Sequence, residues 1–420
     1  MSKECEVAIV GAGNGGLALA LALHEAGINC RVYESVPELR PLGVGINILP
    51  HATGVLGRLG VNEALAKISI STQQSAFFNQ HGQHIYTEAL GTSAGYATPQ
   101  FSIHRGELQL ALLKIVTERL GDNAVVMDRR CVGAENVGDE AHAFFENKAG
   151  EKFTVKASVV VSCDGLHSVL RKQLYPGEGA PHYTGINMWR GAINWKPFLD
   201  GATFARAGAL TAGTGKMVIY PIRNNPDGTQ QVNWVAEVAS PQPAQRDWNG
   251  AGRLDDFFFA FKDWHFDWLD VARMIESTQG ILQFPMVDQD PLPRWTHGRL
   301  TLLGDAAHPM VPRGSNGAGQ AILDADYLAA QFVKHGVGPE ALDAYDRERV
   351  VATGNVVLTN RKAPPDKILQ VVHERTGGKP FDSIADVISI EELREITSNY
   401  KAVAGYSLDG LAKKSTAREV

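Results

Sequence analysis

The chain has 420 residues, 44% hydrophobic and 20% charged, the balance of a soluble globular protein with a large core, in roughly two domains. A formal charge of −6 and a pI near 6.1 argue against nucleic acid as a main partner. Four scattered cysteines, none in a C-x-x-C pair, exclude a dithiol motif and read as thiols of a reducing, cytoplasmic setting.

In chain order, residues 1–5 have no signal-peptide shape and lead at once into an apolar, β-rich run at 6–10. Gly11, Gly13 and Gly16 then satisfy G-x-G-x-x-G, with Gly15 beside them, and residues 17–26 form a helix that Gly27 ends. The first glycine permits the tight turn, the second lets backbone approach a pyrophosphate, and the third lets helix and strand pack closely. The free amides at the helix start favour phosphate. A second strand at 30–34 ends in Glu34, 23 residues beyond Gly11, near the spacing of a ribose-binding carboxylate. Strand, helix and acid together predict a dinucleotide site.

Further helices are expected at 51–59 and 104–120, and short alternating runs over 124–161 predict a small antiparallel sheet. These runs lead into a buried strand at 158–162, which ends at Cys163-Asp164-Gly165. Residues 182–285 hold six of the seven tryptophans and strand-like runs at 216–222 and 231–238, so a β-rich domain enclosing a ligand with aromatic walls is expected there. The strand at 300–303 ends at Gly304-Asp305, where an open α/β sheet binds ligands. A glycine-rich loop at 312–319 opens a helix near Gly317 whose amides would face an anionic group. Helices at 320–334 and 339–361 follow, and Pro364-Pro365 breaks the pattern. A mostly helical tail with a capping signal at Ser389 and Glu392 completes the chain. No run is long enough to span a bilayer, and neither His81 with His84 nor His104 with His308 has metal-ligand spacing, so no membrane and no metal are expected.

Taken together, GAGNGG, Asp164-Gly165 and Gly304-Asp305 resemble the class A (single-component) flavin-dependent aromatic monooxygenases, the para-hydroxybenzoate and salicylate hydroxylase group, over residues 5–360. A closer similarity, through 40–47, 102–108, 188–191, 285–295 and 298–324, is to phenazine monooxygenases that hydroxylate 5-methylphenazine-1-carboxylate. The resemblance implies an α/β fold with a Rossmann-like FAD-binding domain of the para-hydroxybenzoate hydroxylase type at 1–75, 100–180 and 286–365. It adds a β-sheet substrate domain at 76–99 and 181–285 and a helical tail at 366–420. It implies noncovalent FAD, with NADH or NADPH as co-substrate. Glu34 would hold the adenosine ribose, Arg105 would reach FAD from its helix, Val44 and Gly45 would line the flavin ring, and Asp305 would bind the ribityl chain. Gly317 and Ala318 start the helix that faces the ring, and Asp164-Gly165 would serve FAD and the nicotinamide donor alike.

The implied reaction uses NAD(P)H and O2 to hydroxylate a small aromatic or heteroaromatic acid through a flavin C4a-hydroperoxide, with or without loss of CO2, in a monomer or homodimer. For the substrate, Arg190 is a candidate carboxylate partner or else a structural ion-pair or surface strand residue, and Tyr220 a ring contact, a hydrogen-bonding activator of a phenol, or a core residue. His308, beside Pro309 in the flavin-facing loop, is a catalytic candidate as a base or, more in keeping with the family, a residue that shapes the loop. Two departures stand out. Gly314 and Ser315 replace the Gln-Gly of salicylate hydroxylases, and the tail after about residue 365 differs from the phenazine enzymes. The alternatives are another FAD-dependent oxidoreductase on this scaffold and a non-catalytic flavin-fold binding protein. The halogenase pattern W-x-W-x-I-P is missing, since Trp195 is followed by Lys-Pro-Phe, and so are a Baeyer–Villiger pattern and a second nicotinamide G-x-G-x-x-G.

Overall fold

Five strands of the computed structural model, which describes residues 4–211, 213–247, 250–362 and 364–411, run parallel side by side. In spatial order these are Val125–Val126, Cys30–Tyr33, Cys5–Val10, Lys152–Ser162 and Leu300–Leu302. Apart from Val125–Val126 at the edge and Phe153, their apolar residues are buried on both faces, as βαβ crossovers require. The Asn14–Glu25 helix is buried from Gly15 to Leu23 because it is packed from both sides, against Arg105–Leu120 and Gly317–His335. The antiparallel runs expected at 124–161 are not a separate sheet. Lys152–Ser162 pairs antiparallel with Glu140–Glu146 through its first half and parallel with Cys5–Val10 through its second. One long strand thus joins a ribbon to the parallel sheet.

A second sheet, seven-stranded among the described residues, runs in the order Leu282–Asp288, His182–Trp195, Gln230–Ala239, Gly215–Asn224, Thr203–Gly208, Gln74–Phe78, His84–Ala89. A three-stranded sheet of Gly45–Ile48, Gln100–His104 and Ser69–Thr72 stands between the two. Side chains alternate across the large antiparallel sheet. One face buries Trp189, Trp234, Met217, Ile219, Ala205 and Ala207 with Phe257, Phe261 and Trp264 in a hydrophobic core. The aromatic walls expected of the tryptophan-rich segment are therefore a core on the face away from the ligand. Trp248 lies outside the described residues.

The tail is helical at Lys367–Thr376 and Ile390–Val403. Ser389 Oγ accepts the Glu392 amide at 3.2 Å as the capping signal requires, while the Glu392 carboxylate turns to Arg375 at 2.6 Å. Ile368, Leu369, Val372, Ile388 and Leu393 bury themselves against Phe77 and Ile85, so the tail is seated on the outer strands of the second sheet. Residues 412–420 lie outside the described residues.

Candidate active site

The motifs converge because each follows a strand of the parallel sheet at the same end. Gly11 has φ +102, and a Cβ there would stand 2.5 Å from the Cys163 carbonyl oxygen and 3.2 Å from Asp164 Cα, so the first two motifs are in van der Waals contact. A Cβ on Gly16 would overlap the Gly11 oxygen, and one on Gly15 would press on Leu303 at 2.8 Å and Ala321 at 3.2 Å. Gly13 differs, since its Cβ would meet nothing within 4 Å. It stands at the N-cap of its helix with no side-chain cap, so the helix-start amides face an open groove, the cradle a pyrophosphate needs. Glu34 is buried at the next strand end, with Oε2 accepting the Ala12 amide at 2.8 Å and Oε1 the Val36 amide at 3.1 Å.

The third segment is tied to the second by Arg171, whose Nη1 donates to the carbonyls of Ala306 at 3.0 Å and Ala307 at 2.6 Å. Asp305 is solvent-accessible at the end of the Leu300–Leu302 strand, within the field of His308, Arg105 and Arg246. Burial pushes its carboxyl up against the pull of His308, Arg105 and Arg246. His308 and Pro309 are buried, and His308 Nε2 meets Asp324 Oδ2 at 2.6 Å. Asp324 also receives Arg349 Nε at 2.7 Å and the Gly304 amide at 3.1 Å. Burial alone would raise Asp324, but Arg349 and His308 outweigh it and hold the carboxyl below its ordinary range. With three partners on the buried Asp324 carboxylate, this network fixes one conformation of the Gly304–Pro309 turn.

Asp164 has less freedom than its motif implies. Its carboxylate is engaged by the Ser162 hydroxyl and by the Val169 amide at 2.8 Å, so it caps the turn onto the helix Val169–Leu174. Gly165, at φ +74, opens that turn. Arg105 starts its helix with its amide on the buried Val44 carbonyl at 2.9 Å. One turn later Gln109 Nε2 donates to the Ala12 carbonyl at 2.8 Å. Gln109, Arg171 and Arg349 fall in no motif and Asp324 only closes the 298–324 similarity; the i, i+4 spacing of Arg105 and Gln109 is the one local signal that could have found any of the others. Gly317 and Ala318 begin the Gly317–His335 helix, and a Cβ on Gly317 would have only Asp305 Oδ1 and Met310 Cγ near it, at 3.8 and 3.9 Å. The residues present fit FAD: backbone amides, an acid at the ribose distance, and a second uncapped helix start.

A cavity of about 130 Å³ opens beside Gly45, between the second sheet and the 312–315 loop. Its floor is the face opposite the tryptophan core, with Arg190, Val235, Val218 and Tyr220 among the lining side chains. The Gly45 amide donates to Asn233 Oδ1 at 2.7 Å, which fixes the cofactor-side strand to the floor. Burial, and the guanidinium of Arg105 next, push Arg190 down to about 9, which leaves it cationic at neutral pH. Burial raises Tyr220, with Arg190 and a hydrogen bond from Asn47 pulling it back. Phe204 stacks on Tyr220 at 4.8 Å. Deeper in the cavity Lys216 bridges Glu237, at 2.8 Å, and Asp366 of the tail. Burial would raise Asp366, but Lys216 and Arg313 hold it far below its ordinary range.

The tail also sets the roof. Tyr400 Oη accepts from Asn316 Nδ2 at 2.8 Å and donates to Asn360 Oδ1 at 2.7 Å, and a Cβ on Gly314, at φ +69, would overlap it. The glycine that departs from the salicylate hydroxylase pattern is thus required by a tyrosine 86 residues later in this chain. Among the described residues no cluster could hold a metal ion, and no helix is long and apolar enough to cross a membrane.

A nucleotide-binding backbone and a cavity for a small planar molecule meet at Gly45 and the 312–315 loop, the layout of a flavoprotein hydroxylase. The chain belongs to the FAD-binding-domain family, whose model matches residues 4–359. It is 39% identical over 414 residues to a phenazine 1,6-dicarboxylic acid hydroxylase of Lysobacter antibioticus, covering 97% of this chain and 98% of that protein. It is 30% identical over 361 residues to a 3-amino-4-hydroxybenzoate 2-monooxygenase of Streptomyces cremeus, covering 85% and 86%. Among solved structures, Klebsiella pneumoniae HpxO complexed with FAD and uric acid shares the fold at a TM-score of 0.72 and 21% identity, covering 96% and 95%. The protein is an FAD-dependent aromatic monooxygenase of class A, of the kind that uses NAD(P)H.

Proposed function

We propose that this enzyme uses O2 and NAD(P)H to hydroxylate a flat, fused-ring heteroaromatic acid of the phenazine type, in a reducing compartment where its cysteines stay as thiols. The observation that carries this is the cavity floor: an arginine and a tyrosine flank two valines beside the cofactor-side strand. Reduced FAD supplies the oxygen activation, and the chain supplies orientation and exclusion of water. The glycine turn and the Gly317 helix start bind the anionic parts of the cofactor, Glu34 the ribose, and Asp305 with Arg105 the segment between. The Asp324–His308–Arg349 network keeps Asp305 in position. Arg190 pairs with the ring carboxylate, for which a guanidinium fork is the matching donor. The Tyr220 hydroxyl, protonated at neutral pH, offers its proton to a ring substituent.

The test is NADH and NADPH oxidation by the holoenzyme against a panel of aromatic acids, with product masses recorded. Oxidation should be slow alone, accelerate with a phenazine carboxylate, and yield a product heavier by one oxygen, or by one oxygen less CO2. Fast reduction that no aromatic acid changes would sink the reading, as would a colourless protein inert to NAD(P)H. Arg190→Leu should keep its flavin spectrum while KM for the acid rises by the equivalent of about 2–5 kcal/mol.

A further inference from the structure

The strand registers align four cavity side chains in one row. Arg190 stands opposite Val235, Val235 opposite Val218, and Val218 opposite Arg206. Residues opposite one another in an antiparallel sheet point to the same face, and all four line the cavity. Three inter-strand steps of about 4.8 Å set the two arginine backbones roughly 14 Å apart. Between them the valines form an apolar bed for a flat ring system, with a guanidinium at either end.

The adjoining row deeper in the cavity is different in kind. There Lys216 is opposite Glu237 and bonded to it, with Asp366 on the other side, so its charges are satisfied within the protein. Among the described residues Arg206 has no carboxylate of that closeness. The two acids nearest it are each held by a lysine, Glu88 by Lys401 at 2.7 Å and Asp366 by Lys216. Its guanidinium lies 4.4 Å from the Phe204 ring centre and 5.0 Å from that of Phe77, and donates to the Ser75 hydroxyl. Stacking on ring faces fixes the plane of the fork and leaves its edge for an in-plane carboxylate. Arg206 also borders a second small cavity walled by Lys401 and Tyr406 of the tail, so this end has room beyond the valine bed.

We propose that Arg206 is a specificity-determining residue that seats a second carboxylate, so that the preferred substrate is a planar fused-ring diacid held at both ends. The inference rests on the aromatic-acid hydroxylase reading and extends it to a residue on the opposite side of the site from Arg190. A purely structural role, in which Arg206 only supports the tail through the field of Glu88 and Asp366, predicts the same loss for every substrate.

The holoenzyme is titrated with phenazine-1,6-dicarboxylate and with phenazine-1-carboxylate, following the flavin absorbance change and NAD(P)H oxidation. The native protein should prefer the diacid. In Arg206→Gln, kcat/KM for the diacid should fall about 30-fold, mostly through KM, against a few-fold for the monoacid, and Arg206→Lys should restore part of the preference. Equal losses for both acids, or a diacid preference that survives in Arg206→Gln, would overturn the proposal. A native enzyme that gains nothing from the second carboxylate would overturn it too, with the hydroxylase reading intact. If no aromatic acid stimulates NAD(P)H oxidation, the hydroxylase reading fails, and the absorbance titrations of native and variant protein still decide whether Arg206 binds a second carboxylate.

Discussion

At the edge of the parallel sheet the groups facing the cofactor groove are largely main chain, made available by glycines that allow close approach. On the antiparallel sheet they are side chains, Arg190, Val235, Val218, Arg206 and Tyr220, on one face of four strands. A backbone site demands particular residues at particular spacings, since a single Cβ would fill it. A side-chain site on a sheet demands only alternation, and either face satisfies that. The first kind of site is specific in the sequence; the second depends on which face finds a core.

Substitutions in the two regions should therefore fail differently. The largest effect is expected for Gly16→Ala, whose methyl would collide with the Gly11 carbonyl. A cost of about 3 kcal/mol or more should lower the melting temperature and leave little yellow protein, and full FAD occupancy in this variant would contradict the turn geometry. Asp324→Ala removes the shared partner of His308 and Arg349 and should cost about 3–5 kcal/mol in urea unfolding, because two buried cationic or polar groups lose their acceptor.

Neighbouring residues on one strand sharpen the contrast. Trp234→Ala opens the core face and should cost about 3–5 kcal/mol of stability with KM for substrate little changed. Val235→Ala, one residue on, should cost about 1 kcal/mol and act chiefly on KM. If both variants shift KM alike, the face assignment is wrong. The smallest stability effect is expected for Gly13→Ala, within roughly 0.5 kcal/mol because the methyl enters open space, yet FAD affinity should drop since that space is the phosphate cradle. Isothermal titration of the apoprotein measures it.

What could be read in the sequence follows the same division. The Gly11–Gly16 turn, Glu34, Asp305 and the helix at Gly317 were all visible because strand, glycine and acid recur in fixed order. Arg190 was visible only through the similarity of Met-Trp-Arg-Gly to relatives. Arg206, Lys216 and Glu237 sit in runs of ordinary alternation, and their meeting depends on a register between strands that sequence spacing does not encode. The tryptophans misled for that reason: Trp189 and Arg190 are adjacent, and only the packing of Phe257 and Phe261 decides which of them faces the ligand. Asp366 and Tyr400 reach the site from a segment whose composition reads as a polar helical tail, and nothing local marks their distant partners Lys216 and Asn316.

The Tyr400 hydroxyl has a consequence for biosynthesis. Chains fold from the N-terminus as they leave the ribosome, and most of the nucleotide-binding sheet is complete once residue 302 has emerged. The loop at 312–316 then still lacks its clamp, which arrives with residue 400, almost a hundred residues later. The roof of the cavity is thereby among the last parts of the described fold to close. A nascent chain released before that point would carry the glycine turn and both acids and still present an unfinished roof.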